Sequence, residues 1–256
     1  MVNRARQAFR ASGFVGLTGT MLPAFLAVMA TTPDAEREAK RDEWVRRWAR
    51  SLLTLFGIEV VIDGAIPPPT LGSGRGRLVV SNHRSAIDIG VLLATFGGTM
   101  VSRADVASWP LVGAAARSVG TVFVDRKSAE SGAATIRVIQ KHLESGGTIA
   151  IFPEGTTFDG DDVRPFHGGA FIAASRAEAE ILPVGLAYPK SSGAAFVDET
   201  FPQHLGRLAA SDDTRMVVAV GAPFVVRKGV RAREVTDRTH EAVVTCVARA
   251  RLRCGA

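Results

Sequence analysis

Leu78-Val79-Val80-Ser81-Asn82-His83-Arg84-Ser85-Ala86-Ile87-Asp88 is the stretch whose reading decides the fold. Its first residues form a short apolar run, which predicts a buried strand. Beyond it, Ile89-Gly90-Val91-Leu92-Leu93 predicts the start of a buried helix. A histidine and a carboxylate therefore share a strand-to-helix turn, where open α/β sheets bind ligands. Imidazole is the side chain whose charge changes nearest neutrality. A carboxylate on one ring nitrogen fixes the tautomer and supports the cation formed when the other nitrogen takes a proton. Residues five apart on a regular helix point about 140° away from each other. The two groups can meet only if His83 lies on the turn and Asp88 in the first helical turn, with Ser85 as a suitable N-cap. Ser85 to Asp88 equally fits a capping box, in which Asp88 reaches back to a backbone N–H and His83 is an ordinary turn residue. The stretch from Asn82 to Asp88 alone leaves both readings open.

Two further strands end in the same manner. Thr121-Val122-Phe123-Val124 runs into Asp125-Arg126, and Thr148 to Phe152 runs into Pro153-Glu154-Gly155-Thr156-Thr157. Singly, each has a plain explanation. Arg126 reads as a solvated arginine beside Lys127, Glu154 as a turn carboxylate, and Gly155 as a supplier of positive φ. In a parallel sheet, however, the three ends share one edge. Strands alternate with helices from residue 58 onward. Helices are expected near 87–96, 109–119, 129–145, 168–178 and 230–253, and strands at 58–63, 99–102, 181–187 (broken by Pro183) and 216–220. This predicts an α/β fold with a mainly parallel sheet flanked by helices.

The chain has 256 residues, of which 46% are hydrophobic and 22% charged, which supports a sizeable core and argues against wholesale disorder. Net charge is +6 and the pI about 10.0, pointing to an anionic lipid surface or nucleic acid as partner. No nucleic-acid reader motif is present, and outside 44–50 the arginines are spread rather than interleaved with aromatics. Cys246 and Cys254 lack metal-ligand spacing and supply no disulfide framework, which suits a reducing compartment. No metal constellation is visible.

Residues 11–30 carry no charge. They read as a membrane-embedded or interfacial helix, with a buried core helix and a secretory signal peptide (Val28-Met29-Ala30 as the cleavage site) as alternatives. Next, Trp44, Trp48, Leu52 and Leu55/Phe56 recur at helical spacing with Arg46, Arg47 and Arg50 between them. That pattern suits a helix at a headgroup boundary; the alternative is a helix packing its tryptophans on the core. Two units follow: N-terminal membrane-associated helices over 1–56 and an α/β domain over 57–256.

Asn82-His83-x-Ser85-x-x-Asp88, then Gly120-Thr-Val-Phe-Val-Asp-Arg126, then Phe152-Pro-Glu-Gly-Thr156, then Ile181-Leu-Pro-Val184, in this order and spacing, resemble the glycerolipid acyltransferase family, best known for its 1-acylglycerol-3-phosphate O-acyltransferases. The likeness covers roughly residues 40–225. It implies an enzyme that moves a fatty acyl group from coenzyme A or acyl carrier protein to a lysophospholipid hydroxyl, most directly 1-acylglycerol-3-phosphate, at the cytoplasmic face of the cell membrane. No cofactor beyond the thioester co-substrate is expected. By resemblance, His83 is the general base and Asp88 its orienting partner. Arg126 binds the anionic head of the acceptor, with Glu154, Gly155 and Thr156 positioning it. Backbone N–H groups of the His83–Ser85 turn are candidate oxyanion donors. Thr157 departs from the pattern: phosphatidic-acid-forming members commonly carry arginine there. Loss of that cation, followed by an acidic loop, resembles members acting on other lysolipids, lyso-ornithine lipid included. His167 is a candidate contact or a residue leading into a helix. The non-enzymatic alternative is a membrane-associated lipid-binding protein.

Overall fold

The computed structural model describes residues 4–69, 74–125, 128–157, 160, 162–196 and 198–255, apart from the side chain of Ala129. The chain opens with helices α1 (Arg4–Thr31) and α2 (Asp34–Leu55). It then runs β1 (Ile58–Asp63), β2 (Arg77–Ser81), α3 (Ile87–Phe96), β3 (Thr99–Arg103), α4 (Val112–Ser118), β4 (Val122–Val124), α5 (Ala129–Glu144) and β5 (Thr148–Ile151). It closes with α6 (Gly169–Arg176), β6 (Glu180–Ala187), α7 (Phe201–Ala210), β7 (Thr214–Val220), β8 (Phe224–Val225) and α8 (Ala232–Cys254).

The eight described strands form one sheet in the order β1-β7-β6-β2-β5-β3-β4, with β8 also on β6. From β6 to β4 every pairing is parallel. β1 and β7 run parallel to each other, and β7 meets β6 antiparallel. The carboxyl ends of β2, β5 and β4 thus share one edge, as the three polar strand ends require. The apolar runs are explained by burial on both faces. Leu78 and Val80 pack under α5, α6 and α8, while Val79 between them packs under α2 and α3.

Pro183 does not break β6, which is continuous from Glu180 to Ala187. On one side of β6, β8 pairs with residues 180–181 and β7 with 184–187. Pro183 falls in the gap between them, where its missing N–H forfeits no ladder bond, and its carbonyl accepts from Gly221 N–H at 2.9 Å.

The buried stripe of α2 is Val45, Ala49, Leu53 and Phe56, which join the same core as α3 and β6, so packing is continuous across residues 56 and 57. Of the two tryptophans, Trp48 packs against this core. Both are half-buried between α1 and α2: the Trp48 indole N–H donates to Thr18 Oγ1 at 3.1 Å, and the Trp44 ring lies 6.2 Å from that of Phe25. Arg46 also turns inward. It donates to the carbonyls of Thr95 (2.8 Å) and Phe96 (2.5 Å), which end α3 without intrahelical partners.

α1 is one unbroken helix despite its glycines and Pro23. Arg10, Thr18 and Phe25 are its buried residues. Arg10 donates to Asp213 Oδ1 at 2.6 Å and to the Ser211 carbonyl at 2.7 Å. α1 is thereby built into the fold along one face, and Phe9, Val15 and Leu26 are exposed on others. It is long and apolar enough to cross a membrane.

Candidate active site

His83 stands on the turn after β2, and Asp88 lies in the first turn of α3. His83 Nδ1 is 2.9 Å from Asp88 Oδ2. The same oxygen accepts the backbone N–H groups of Arg84 (2.6 Å) and Ser85 (2.9 Å). One carboxylate therefore makes both contacts, to the imidazole and back to the backbone N–H groups. It closes the helix N-terminus and holds the imidazole, and it is fully buried, so these bonds are made without competition from water. With Nδ1–H directed at the carboxylate, the lone pair of His83 lies on Nε2, for which no described residue is a recorded partner. The ring stacks on Phe152, with centroids 3.9 Å apart and planes 8° from parallel.

Glu154 faces inward, to the turn rather than to solvent. Its Oε1 accepts the His83 N–H at 2.7 Å and Arg84 Nη1 at 2.9 Å. Its Oε2 accepts the Arg164 N–H at 2.9 Å. Arg84 stands at a position that carried no expectation in the sequence, yet it makes an ion pair with Glu154 that is closed off from solvent. Besides Glu154 it binds the carbonyls of Gly160 and Asp162, each at 2.6 Å. It thus pins the loop after β5 over the turn after β2. The clue available in the sequence was Glu154 itself: a carboxylate at an apolar strand end needs a cation nearby.

Gly155 has φ +84°, the left-handed conformation that favours glycine, and its N–H closes a tight turn on the Phe152 carbonyl. Thr156 is exposed beside it, with Oγ1 3.3 Å from the Thr157 carbonyl. Arg126 lies outside the described residues. The His83–Ser85 N–H groups are not oxyanion donors, because Glu154 takes the first and Asp88 the other two. His167 is exposed two residues before α6 and donates its N–H to the Pro153 carbonyl, as a residue leading into a helix.

α7, a helix the periodicity did not predict, also reaches the site. Its N-terminal signal was legible in Thr200-Phe201-Pro202-Gln203, a capping box with proline in the first turn. α7 carries His204, fully buried, with Nε2 3.2 Å from Ser85 Oγ and 3.4 Å from the Ala86 nitrogen. His204 Nδ1 is 2.8 Å from Glu199 Oε1, and Arg207 binds the same carboxylate. Burial pushes His204 below its ordinary pKa, against the opposing pull of Glu199. The Arg207 hydrogen bond, reinforced by His204, holds Glu199 down at about 2.

A histidine tied to a buried carboxylate at the carboxyl edge of a parallel sheet defines a class of α/β protein equipped to move a proton beside a bound ligand. The acyltransferase family model matches residues 58–187, the span from β1 to the end of β6. The chain is 30% identical over 247 residues to a lyso-ornithine lipid O-acyltransferase of Pseudomonas aeruginosa, covering 94% of this chain and 93% of that protein. It is 30% identical over 161 residues to a 1-acyl-sn-glycerol-3-phosphate acyltransferase of Neisseria gonorrhoeae, covering 61% and 62%. The crystal structure of the acyltransferase PlsC from Thermotoga maritima superposes with a TM-score of 0.73 over 96% of each chain at 18% identity, a likeness of fold. The chain belongs to the acyltransferase family and is an enzyme, which sets aside the non-enzymatic alternative.

Proposed function

We propose that this enzyme transfers an acyl group from a thioester, of coenzyme A or acyl carrier protein, to the free hydroxyl of a lysolipid, with His83 as general base. The observation that carries this is the 2.9 Å contact between His83 Nδ1 and Asp88 Oδ2, which leaves Nε2 as the acceptor nitrogen. As the lipid hydroxyl oxygen attacks the thioester carbonyl, its proton passes to Nε2, and Asp88 supports the imidazolium. Collapse of the tetrahedral intermediate breaks the carbon–sulfur bond, and His83 returns the proton to the departing thiolate. The products are an ester and a free thiol, and no covalent acyl-enzyme is needed. Arg84 and Glu154 position the His83 backbone, Gly155 shapes the neighbouring turn, and Thr156 and Arg126 meet the acceptor head.

For the acceptor, the relative matched along nearly the whole chain is named for lyso-ornithine lipid, and Thr157 supplies no second cation for a phosphate. Both support an aminolipid acceptor. The second reading, 1-acylglycerol-3-phosphate, is supported by the Neisseria relative and by Arg126. Amphiphilic substrates require contact with a bilayer. α1, apolar and largely uncovered, is the segment that would provide it, on the cytoplasmic side where the thioester is found.

Membranes containing the protein, given acyl-coenzyme A or acyl carrier protein thioester, should acylate lyso-ornithine lipid in preference to lysophosphatidic acid when the two compete. His83→Ala should abolish transfer to either. A His83→Ala protein with wild-type rates would overturn the mechanism. Preference for lysophosphatidic acid would keep the mechanism and establish the second reading.

A further inference from the structure

We propose that His204 is a positioning residue for the catalytic turn, its neutral ring accepting from the Ser85 hydroxyl and the Ala86 N–H through Nε2. The inference rests on the reading of His83 as the base.

The tautomer follows from the partners. Two groups meet Nδ1: Glu199 Oε1 at 2.8 Å, which can only accept, and Arg207 Nη2 at 3.0 Å, which donates to that same carboxylate oxygen; with Arg207 engaged by Glu199, the proton between ring and carboxylate is placed on Nδ1. On the other nitrogen, the backbone N–H of Ala86 can only donate, so Nε2 must be unprotonated to receive it. That leaves the Ser85 hydroxyl to give its hydrogen to Nε2 while its oxygen accepts from the Ile87 N–H at 3.3 Å. Glu199 is fixed by Arg207, which is held in turn by the Ala195 carbonyl at 2.6 Å. Phe196 adds a second clamp: its N–H donates to the Arg84 carbonyl at 2.7 Å, and its ring lies 4.4 Å from the imidazole of His204.

The turn is thus held from two sides. Asp88 and Glu154 take the N–H groups of residues 83–85, and the segment from Phe196 to His204 takes the polar groups of residues 84–86. Glu199 satisfies one nitrogen of this buried ring, and the second needs a partner of its own. That partner is the stretch that joins His83 to Asp88. A shift of this backbone moves Nε2 of His83 relative to the lipid hydroxyl, and proton transfer is sensitive to displacements of that size.

The test compares His204→Phe, which keeps a ring and removes the acceptor, with His204→Gln, whose amide oxygen can reach the place of Nε2. His204→Phe should lower kcat about tenfold. The KM values for both substrates should stay within about twofold, because binding groups are untouched. His204→Gln should recover most of kcat. Wild-type kcat in His204→Phe, or equal loss in the Phe and Gln variants, overturns the proposal. Should His204→Phe fail to fold, Ser85→Ala decides: it removes the hydroxyl that donates to Nε2, and wild-type kcat there overturns the proposal too. His83→Ala, run alongside, separates the two readings, since its full activity would remove the function itself, whereas its inactivity beside a fully active His204→Phe would remove only the role of His204.

Discussion

Arg84 Nη1 lies 2.9 Å from Glu154 Oε1, with both side chains closed off from solvent, and this contact joins the turn after β2 to the turn after β5. A buried pair of this kind contributes little over an apolar replacement, but breaking one half strands the other charge. Arg84→Met should therefore cost roughly 3–5 kcal/mol in denaturant unfolding. Arg84→Met with Glu154→Leu should recover most of that loss. The double variant should still be a poor catalyst, because the His83 N–H has lost its acceptor.

Asp88→Asn keeps the shape of the side chain and exchanges the carboxylate for a neutral amide. The orientation and charge support of His83 would both suffer, by analogy with other histidine–carboxylate pairs, so kcat should fall by about 10³–10⁴. Stability should change far less, by about 1–3 kcal/mol, since the amide oxygen can still accept the Arg84 and Ser85 N–H groups. Steady-state kinetics and a thermal melt on one preparation measure both.

Glu199 predicts a pH signature. Its carboxyl sits at about 2 in the fold against an ordinary value of 4.5. A depressed carboxylate stabilises the fold above the unfolded-state value and loses that contribution as pH falls through the folded one. The stability gap between wild type and Glu199→Gln should be widest above pH 4.5 and close progressively toward pH 2. Denaturant midpoints at about pH 6 and about pH 3 check the sign.

Gly185 in β6 lies against the backbone of α8. A Cβ at this position would be 2.2 Å from the Cys246 carbonyl carbon and 2.3 Å from the Val247 nitrogen. Backbone cannot swing aside as a side chain can, so Gly185→Ala should destabilise by about 3 kcal/mol or more. Chemical denaturation measures it.

The period of apolar residues made the parallel core legible, because strands covered on both faces leave near-continuous runs such as Leu78-Val79-Val80. The His83–Asp88 pair was legible from spacing at a strand-to-helix turn. Arg84 and His204 were not, because their roles depend on partners 70 and 119 positions away that only the tertiary fold brings into reach. Trp44 and Trp48 were ambiguous for a related reason: a helix packing on another helix and one lying on lipid show the same stripe, and the contacts with α1 appear only in the fold. The N–H groups of the His83–Ser85 turn look free in the sequence because the carboxylates that occupy them, Glu154 and Asp88, reach them only in the fold.

The span of these contacts also sets a schedule. The turn after β2 cannot be completed until the chain has been made as far as α7, well over a hundred residues later, since Ser85 and Ala86 wait for His204. During synthesis the β2–β5 segment is made before α7. Without the clamp from α7 its histidine would lack a fixed aim. Long-range pairings of this sort form late. A chain that ends before α7 would therefore hold this turn from one side only, through Asp88 and Glu154.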